Sequence, residues 1–358
     1  MIQYIVHRLY EEDHISFGRL VSALSEERLL RPGQASENVA YQLVFILVGL
    51  ATFFYTPSLT PKDGEFEITP SSEEKTQYVS RGLWAVKQIQ IDAESEQSIG
   101  DVIKQFSGGK HLLLYSRWVE DDSQRPQNRE DVLVKVTNVN YWTLRKFIGI
   151  KVIFVDSVWE HLAFEQRTKT LKLFQYPSFC LMLCVRNSKG TFLGRFFDNY
   201  FEDIIRERGF SPVNSHDFFR ELVFTYRLIF GQSRDAYKAF RSDYENKLDE
   251  KDIDRDPLLY RLCGSDWSNE CLYDELDAPH IRTVYSTMSD FPFFGQRLIE
   301  LQEYVLSQSP DNFTTLWRDR RDITTFYTLW AALIFGITTT LLGIIQVGLQ
   351  MAQLGATA

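Results

Sequence analysis

The stretch Ile323–Leu349 reads ITTFYTLWAALIFGITTTLLGIIQVGL and contains no charged residue. An α-helix rises about 1.5 Å per residue, so about 20 apolar residues cross the roughly 30 Å hydrocarbon layer of a membrane. Tyr327 and Trp330 lie near its start, where interfacial aromatic residues are common. The alternative is a buried core helix, but core helices rarely stay uncharged for so long. The stretch therefore predicts a transmembrane helix at residues 323–349.

Positive charges flank only the upstream side of this helix. Arg318, Arg320 and Arg321 precede it, whereas the short tail 350–358 carries no charged side chain. Because cytosolic flanks carry an excess of Lys and Arg, we expect the bulk of the chain in the cytosol. The pattern predicts a tail-anchored, single-pass protein whose first partner is the lipid bilayer. The uncharged tail favours the endoplasmic reticulum or a downstream membrane over mitochondria.

The predicted span carries three small residues on one helical face, at intervals of four and three: Gly336, Thr340 and Gly343. Small residues at such spacing allow two helix backbones to approach closely. Thr338, Thr339 and Gln346 add groups that could form hydrogen bonds between helices. A homo-oligomer formed through this helix is one interpretation. The other is that Gly and Thr are simply common in membrane helices.

A second apolar stretch, Leu43–Tyr55, reads LVFILVGLATFFY and ends before Pro57. It is short for a span and fits a buried helix near residues 40–55, although a short second crossing stays open. Its classification matters because a second crossing would change the predicted topology.

The rest of the chain has the composition of a folded protein, with 44% hydrophobic and 24% charged residues among 358. The net charge of −9 argues against nucleic acid as a partner, because phosphate binding needs a basic face. Residues 131–185 are strand-like, and within them Leu171–Phe174 alternates apolar and polar residues, as a strand with one solvent-exposed face does. The segments 217–230 and 294–307 have helical periodicity, the second with Leu298, Leu301 and Val305 on one apolar stripe. Ser25, followed by two glutamates, resembles a helix start. We predict an α+β fold, with a mixed α/β soluble domain at 1–195, a helical region at 196–317 and the terminal transmembrane helix.

The sequence supplies no convincing chemical site. Four cysteines are too few for a disulfide framework and are expected to be reduced core residues: Cys180, Cys184, Cys263 and Cys271. Asp252, Asp254 and Asp256 copy the start of a calcium loop, but Pro257 replaces its turn glycine. The segment Gly231–Asp235, which contains Ser233, lacks the last glycine of a nucleophile elbow.

His161 lies near Glu160 and Glu165, which could form an acid–base group. Ordinary polar residues on a half-exposed strand explain these three equally well, and we favour that interpretation. We therefore assign no catalytic, cofactor-binding or metal-ligating residue.

Several stretches resemble a group of fungal membrane proteins with a single C-terminal transmembrane helix: Tyr41–Gly49, Val155–Phe164, Thr168–Cys180 and Leu316–Gly336. This group brings no established activity. The C-terminal pattern is also similar to that of fungal proteins described as CorA-like, which implies an oligomeric ion channel or transporter. The Gly-Met-Asn tripeptide of CorA channels is not present, so no channel residue is carried over.

These observations lead to three functional hypotheses. The first is a membrane-anchored, non-enzymatic interaction or regulatory protein with a cytosolic protein partner. The alternative is a subunit of an oligomeric CorA-like ion channel or transporter, which needs several chains because each supplies one span. The third is an enzyme whose site is assembled from distant residues.

Overall fold

A computed structural model shows the chain to be an α+β protein, as the sequence predicts. The chain divides into two compact units, Met1–Val305 and Leu306–Ala358. The structure describes residues 1–12, 14–30, 36–69, 88–91, 95–106, 132–185, 194, 198, 215–245, 256–265, 270–287, 289–308 and 323–357.

The first unit is mainly helical and contains three small sheets. Its helices are α1 (Ile2–Glu11), α2 (Phe17–Glu26), α3 (Glu37–Thr52), α4 (Ile99–Phe106), α5 (Val136–Val139), α6 (Pro177–Val185), α7 (Ser215–Tyr226), α8 (Arg234–Glu245), α9 (Pro257–Tyr260), α10 (Glu270–Glu275) and α11 (Gly295–Ser307). Its strands are β1 (Glu65–Glu67), β2 (Gln88–Gln90), β3 (Leu133–Lys135), β4 (Lys151–Val155), β5 (Phe164–Glu165), β6 (Thr170–Phe174) and β7 (Val284–Ser286). Shorter helical turns lie at Thr143–Ile148, Val158–Glu160, Arg227–Gly231 and Arg261–Ser265.

Helix α2 begins at a hydroxyl cap. The side chain of Ser16 accepts a hydrogen bond from the backbone N–H of Arg19 at 3.1 Å, which satisfies one of the free donors of the first turn. The helix start expected at Ser25 is wrong, since α2 ends at Glu26. The Ser25 hydroxyl instead donates to the carbonyl of Val21, four residues earlier. A serine followed by two glutamates can stand at the start or at the end of a helix, and the packing of the helix decides which.

Helix α3 occupies the second apolar stretch and packs one face into the core. Val44 and Val48 are fully buried, and the ring of Phe45 stacks on that of Tyr55 with centroids 4.5 Å apart. The helix ends at Thr52, and the left-handed backbone of the next residue, Phe53 (φ 56°), turns the chain back so that the Tyr55 hydroxyl donates to the Phe45 carbonyl. With 16 residues, α3 is part of the core of the first unit.

The largest sheet places β6 in the centre, parallel to β4 and antiparallel to β5. Strand β6 is buried along its whole length. The predicted alternation of Leu171, Lys172 and Leu173 between core and solvent is therefore wrong, because other elements cover both faces. Lys172 is in the core together with its apolar neighbours.

The regions 1–195 and 196–317 contribute to one compact unit up to Val305. Strand β7 comes from the second region and pairs antiparallel with β3 from the first, with Val134 opposite Tyr285. Helix α11 has the predicted apolar stripe: Leu298, Leu301 and Val305 are fully buried. The second region thus supplies a strand as well as helices, and its core residues join those of the first.

The second unit contains helix α12 (Ile323–Thr357), which includes the whole predicted span. It is continuous over 35 residues. The arginines at 318, 320 and 321 lie outside the described residues.

Candidate functional site

Helix α12 exposes large apolar side chains along most of the window Trp330–Gly348. The window Trp330–Gly348 has a mean hydropathy of 1.8 over 19 residues, and none of it is buried against the rest of the chain. At about 1.5 Å per residue, this window is roughly 28 Å long, close to the thickness of a hydrocarbon layer. Phe335 and Ile344 are 72% and 64% exposed. One helix at the C-terminal end of this sequence is therefore long and apolar enough to span a membrane.

The three predicted packing residues lie on the surface of α12. A Cβ atom added at Gly336 or Gly343 would meet no atom within 4 Å, so the helix surface is open there. The Thr340 hydroxyl donates to the carbonyl of Gly336 at 2.8 Å. Thr338 and Thr339 likewise donate to carbonyls of the preceding turn, at 2.8 and 2.9 Å. The threonines are therefore satisfied within the helix and can enter hydrocarbon without a partner.

A second candidate is a set of polar side chains inside the core of the first unit. We call it the polar centre; its members come from the turn before β5, from β6 and from helices α7 and α11: Glu160, His161, Lys172, Glu221, Thr225 and Arg297. Five of these residues are buried, and Arg297 is half-buried. Burying charged groups is costly unless they are paired and hydrogen-bonded, so each member needs an explanation.

Glu160 and Lys172 form a buried ion pair. The Lys172 ammonium donates to Glu160 Oε1 at 2.9 Å, and each side chain is 4% exposed. The backbone brings them together, because the N–H of Lys172 donates to the carbonyl of Ala163 and that of Leu162 donates to the carbonyl of Lys172. The turn that carries Glu160 is thereby held beside β6.

His161 is held as a neutral imidazole. Its Nδ1 accepts the backbone N–H of Phe174 at 3.1 Å, so Nε2 carries the proton and donates to the Thr225 hydroxyl at 2.6 Å. Thr225 in turn donates to the carbonyl of Leu222. Burial, and then the positive charge of Arg297, lower the pKa of His161 well below its ordinary value. Both ring nitrogens are bonded to protein atoms, so the imidazole links β6 to α7.

Arg297 fixes the turn from the other side. Its guanidinium donates to the backbone carbonyls of Trp159, at 2.7 Å, and of His161. Burial lowers its pKa to about 10, so the group is still charged at neutral pH. Arg297 thus joins α11 to the turn that carries Glu160 and His161.

Glu221 caps the N-terminal end of α11. Its carboxyl oxygens accept the backbone N–H of Phe293, at 2.9 and 3.1 Å, and that of Phe294 at 2.6 Å. Burial raises the pKa of Glu221 to about 8 although these hydrogen bonds act to lower it. Gly295 follows, where an added Cβ would lie 2.8 Å from the carbonyl oxygen of Thr287. Only a glycine allows this close approach.

The half-exposed strand expected around His161 is wrong. Glu160 is in a short helical turn and His161 follows it, and both are buried. Glu165 lies in β5 and is half-buried, and the side chain of His161 forms hydrogen bonds with Phe174 and Thr225. One signal of this cluster is visible in the sequence, a lysine between two leucines in β6. Nothing in the sequence indicates that Glu221 or Arg297 joins the same cluster, since both lie more than 45 residues away.

The remaining sequence motifs have structural roles where the structure describes them. Cys180, Cys184 and Cys263 are free and buried, which confirms the expectation for these three, and burial raises the pKa of Cys184 to about 12. The Asp256 carboxylate accepts the backbone N–H groups of Leu258 and Ser178, at 2.8 and 2.7 Å. Asp252 and Asp254, and the side chain of Cys271, lie outside what the structure describes.

Two further observations concern chemistry. The Ser233 hydroxyl accepts the N–H of Ala236 at 3.3 Å and so caps α8. Among the described residues, no group of three or more His, Cys, Asp or Glu side chains is placed to hold a metal ion.

Comparison of the chain with protein-family models, with curated proteins and with solved structures gives no match. Helix α12 and the polar centre are therefore the two candidate sites of the described residues.

Proposed function

We propose that this protein is a membrane-anchored, non-enzymatic interaction or regulatory protein. In this proposal, α12 lies in the bilayer and the unit Met1–Val305 folds in water beside it. One observation carries the proposal: the 19-residue window Trp330–Gly348 is apolar and entirely unburied within the chain. Exposing so many large apolar side chains to water is unfavourable, at roughly 25 cal/mol per Å², and a lipid environment removes this penalty.

The packing of the first unit supports a location outside the membrane. Its core contains its own aromatic clusters, for example Phe17, Phe45 and Phe66, whose ring centroids are 4.8–5.7 Å apart. The arginines before α12 favour a cytosolic location for this unit, and the uncharged residues 350–358 favour the endoplasmic reticulum or a downstream membrane. A cytosolic protein is then the expected binding partner.

The polar centre supports a structural rather than a catalytic use of its ionisable residues. Glu160 is bonded to Lys172, His161 to Thr225 and Phe174, and Glu221 to the start of α11. Each hydrogen bond joins two different elements of the fold, and those of His161 to Thr225 and of Glu221 to Phe294 span 64 and 73 residues. These groups stabilise the packing of the unit, whereas a general base has to reach a substrate proton.

Alkaline extraction of membranes tests the anchor. We expect the full chain to stay in the membrane pellet and the double variant Ile337→Arg/Leu341→Arg to be extracted, because each arginine costs about 2.5–3.5 kcal/mol at the centre of a span. The control is Leu59→Arg, which adds the same charge at a 73% exposed site of the first unit and should leave the chain in the pellet. Extraction of the unmodified chain would contradict the proposal.

Protease protection of the same membranes tests the orientation. Digestion of the first unit in sealed vesicles whose cytosolic face points outward supports the cytosolic assignment. Protection of that unit would reverse it.

The second candidate is a subunit of an oligomeric ion channel or transporter. The observation that favours it is the presence of Gly, Thr and Gln residues within an apolar window that contains no charged residue. Ion flux into liposomes that contain the purified chain is the test. Flux that depends on the chain supports this candidate, and a chain that remains monomeric in the bilayer eliminates it.

A further inference from the structure

Helix α12 contains a seven-residue repeat of small and polar residues. Gly336 and Gly343 occupy one position of the repeat, and Thr339 and Gln346 occupy the position three residues later. The sequence continues the pattern with glutamine at 350 and 353. Seven residues make nearly two helical turns, so these positions form one stripe along the helix. We call it the polar stripe and define it as Gly336, Thr339, Gly343 and Gln346.

Gln346 is the member of the polar stripe that requires a partner. The hydroxyl of Thr339 is satisfied by a carbonyl of its own helix, as are those of Thr338 and Thr340. Among the described residues, none forms a hydrogen bond with the Gln346 amide, which lies on the helix surface. It is inside the apolar window, about 10 Å from its middle, and therefore within the roughly 15 Å half-thickness of the hydrocarbon layer. An amide that meets only lipid leaves its donors and acceptor unpaired.

The two glycines show where a partner could approach. An added Cβ at either position would have no neighbour within 4 Å, so the backbone is open to contact from outside. Both glycines lie on the same stripe as Gln346. The stripe therefore combines a surface that permits close packing with a group that lacks a hydrogen bond.

We propose that the polar stripe binds the polar stripe of a second copy of this chain, with the two helices parallel. The inference rests on the proposed membrane location of α12. Each copy inserts with its large first unit on the same side, so the same residues lie at the same depth. Gln346 then faces Gln346, and an amide is both donor and acceptor, so the two satisfy each other. The stripe carries no charge that would oppose this pairing.

Energy transfer between labelled copies in lipid vesicles tests the pairing. The full chain is labelled with donor or acceptor, reconstituted in phosphatidylcholine vesicles and measured over a range of protein-to-lipid ratios. Gly343→Leu lies on the stripe, and Gly348→Leu adds the same side chain outside it. We expect Gly343→Leu to raise the protein-to-lipid ratio at half-association about tenfold, and Gly348→Leu to leave it unchanged.

A second pair of variants tests the amide. Gln346→Leu should weaken association about as much as Gly343→Leu, and Gln346→Asn, which keeps an amide, should restore most of it. Energy transfer no greater than that of randomly distributed monomers would overturn the pairing. So would an equal effect of Gly343→Leu and Gly348→Leu, because the contact would then not involve the stripe.

Flotation of the same vesicles separates this proposal from the one on which it rests. If the chain floats with the vesicles but does not associate, the anchor stands and the pairing is wrong. If the chain does not float, the proposed membrane location is itself wrong, and the pairing falls with it.

Discussion

The buried ion pair between Lys172 and Glu160 gives the sharpest prediction for the first unit. Lys172→Met keeps the length and most of the volume of the side chain and removes its charge. The carboxylate of Glu160, which is 4% exposed and has its Lys172 partner at 2.9 Å, would then lose that partner. Removing one member of a buried pair typically costs about 3–5 kcal/mol. The positive charge of Arg297 also acts on Glu160 and moderates the loss, so we expect about 3 kcal/mol.

Urea unfolding of the full chain in mild detergent, followed by tryptophan fluorescence, measures this loss. The control is Lys151→Met, which removes the same charge at an exposed position at the start of β4 and should change stability by less than about 0.5 kcal/mol. The double variant Glu160→Gln/Lys172→Met removes both charges. We expect it to be more stable than Lys172→Met, with a coupling of at least about 2 kcal/mol between the two sites. If Lys172→Met lowered the free energy of unfolding no more than Lys151→Met does, the buried ion pair would be refuted.

Two further predictions concern helix α11. The pKa of Glu221 is raised to about 8 in the folded protein, whereas its ordinary value is 4.5. Between these two pH values the folded protein keeps a proton on Glu221 that the unfolded chain has released. The stability that this proton contributes is therefore complete below pH 4.5 and is lost as the pH rises to 8. The free energy of unfolding of Glu221→Gln, relative to that of the wild type, should therefore increase by up to about 1.4 kcal/mol per pH unit between pH 5 and 8. Urea unfolding measures this difference, and a difference that does not change with pH would contradict the raised pKa of Glu221. Gly295→Ala places a Cβ 2.8 Å from the Thr287 carbonyl oxygen and should cost about 2–3 kcal/mol in the same assay. Gly100→Ala in helix α4, where an added Cβ would have its nearest neighbour, Ser98 Oγ, at 3.9 Å, should not lower the free energy of unfolding. Equal losses of stability in the two variants would show that the contact between Gly295 and Thr287 is not tight.

Elements whose signal lies in a short stretch of residues could be predicted from the sequence. The uncharged run from Ile323 is long enough to specify a helix without any partner, and the structure has a continuous helix there. The stripe of Leu298, Leu301 and Val305 likewise predicted the buried face of α11. Both predictions succeed because a helix places residues three and four positions apart on one face, whatever lies opposite.

Predictions failed where a second element decides the environment. Leu171–Phe174 alternates as a strand with one solvent-exposed face does, but in the structure all of β6 is buried, Lys172 included. His161, which we expect on a half-exposed strand with ordinary polar residues, is buried as well. Alternation reports the residue types along a strand, and it does not report how many layers pack on it.

Only the tertiary structure assembled the polar centre. Glu221 accepts hydrogen bonds from Phe293 and Phe294, more than 70 residues away, and Arg297 reaches back to the carbonyl of Trp159 across 138 residues. Contacts at such separation depend on the path of the whole chain, and no short pattern encodes them. Helix α12 could be predicted because its backbone hydrogen bonds are local and its apolar run is continuous in the sequence, whereas the polar centre exists only because packing removed these charged groups from water and forced them to pair.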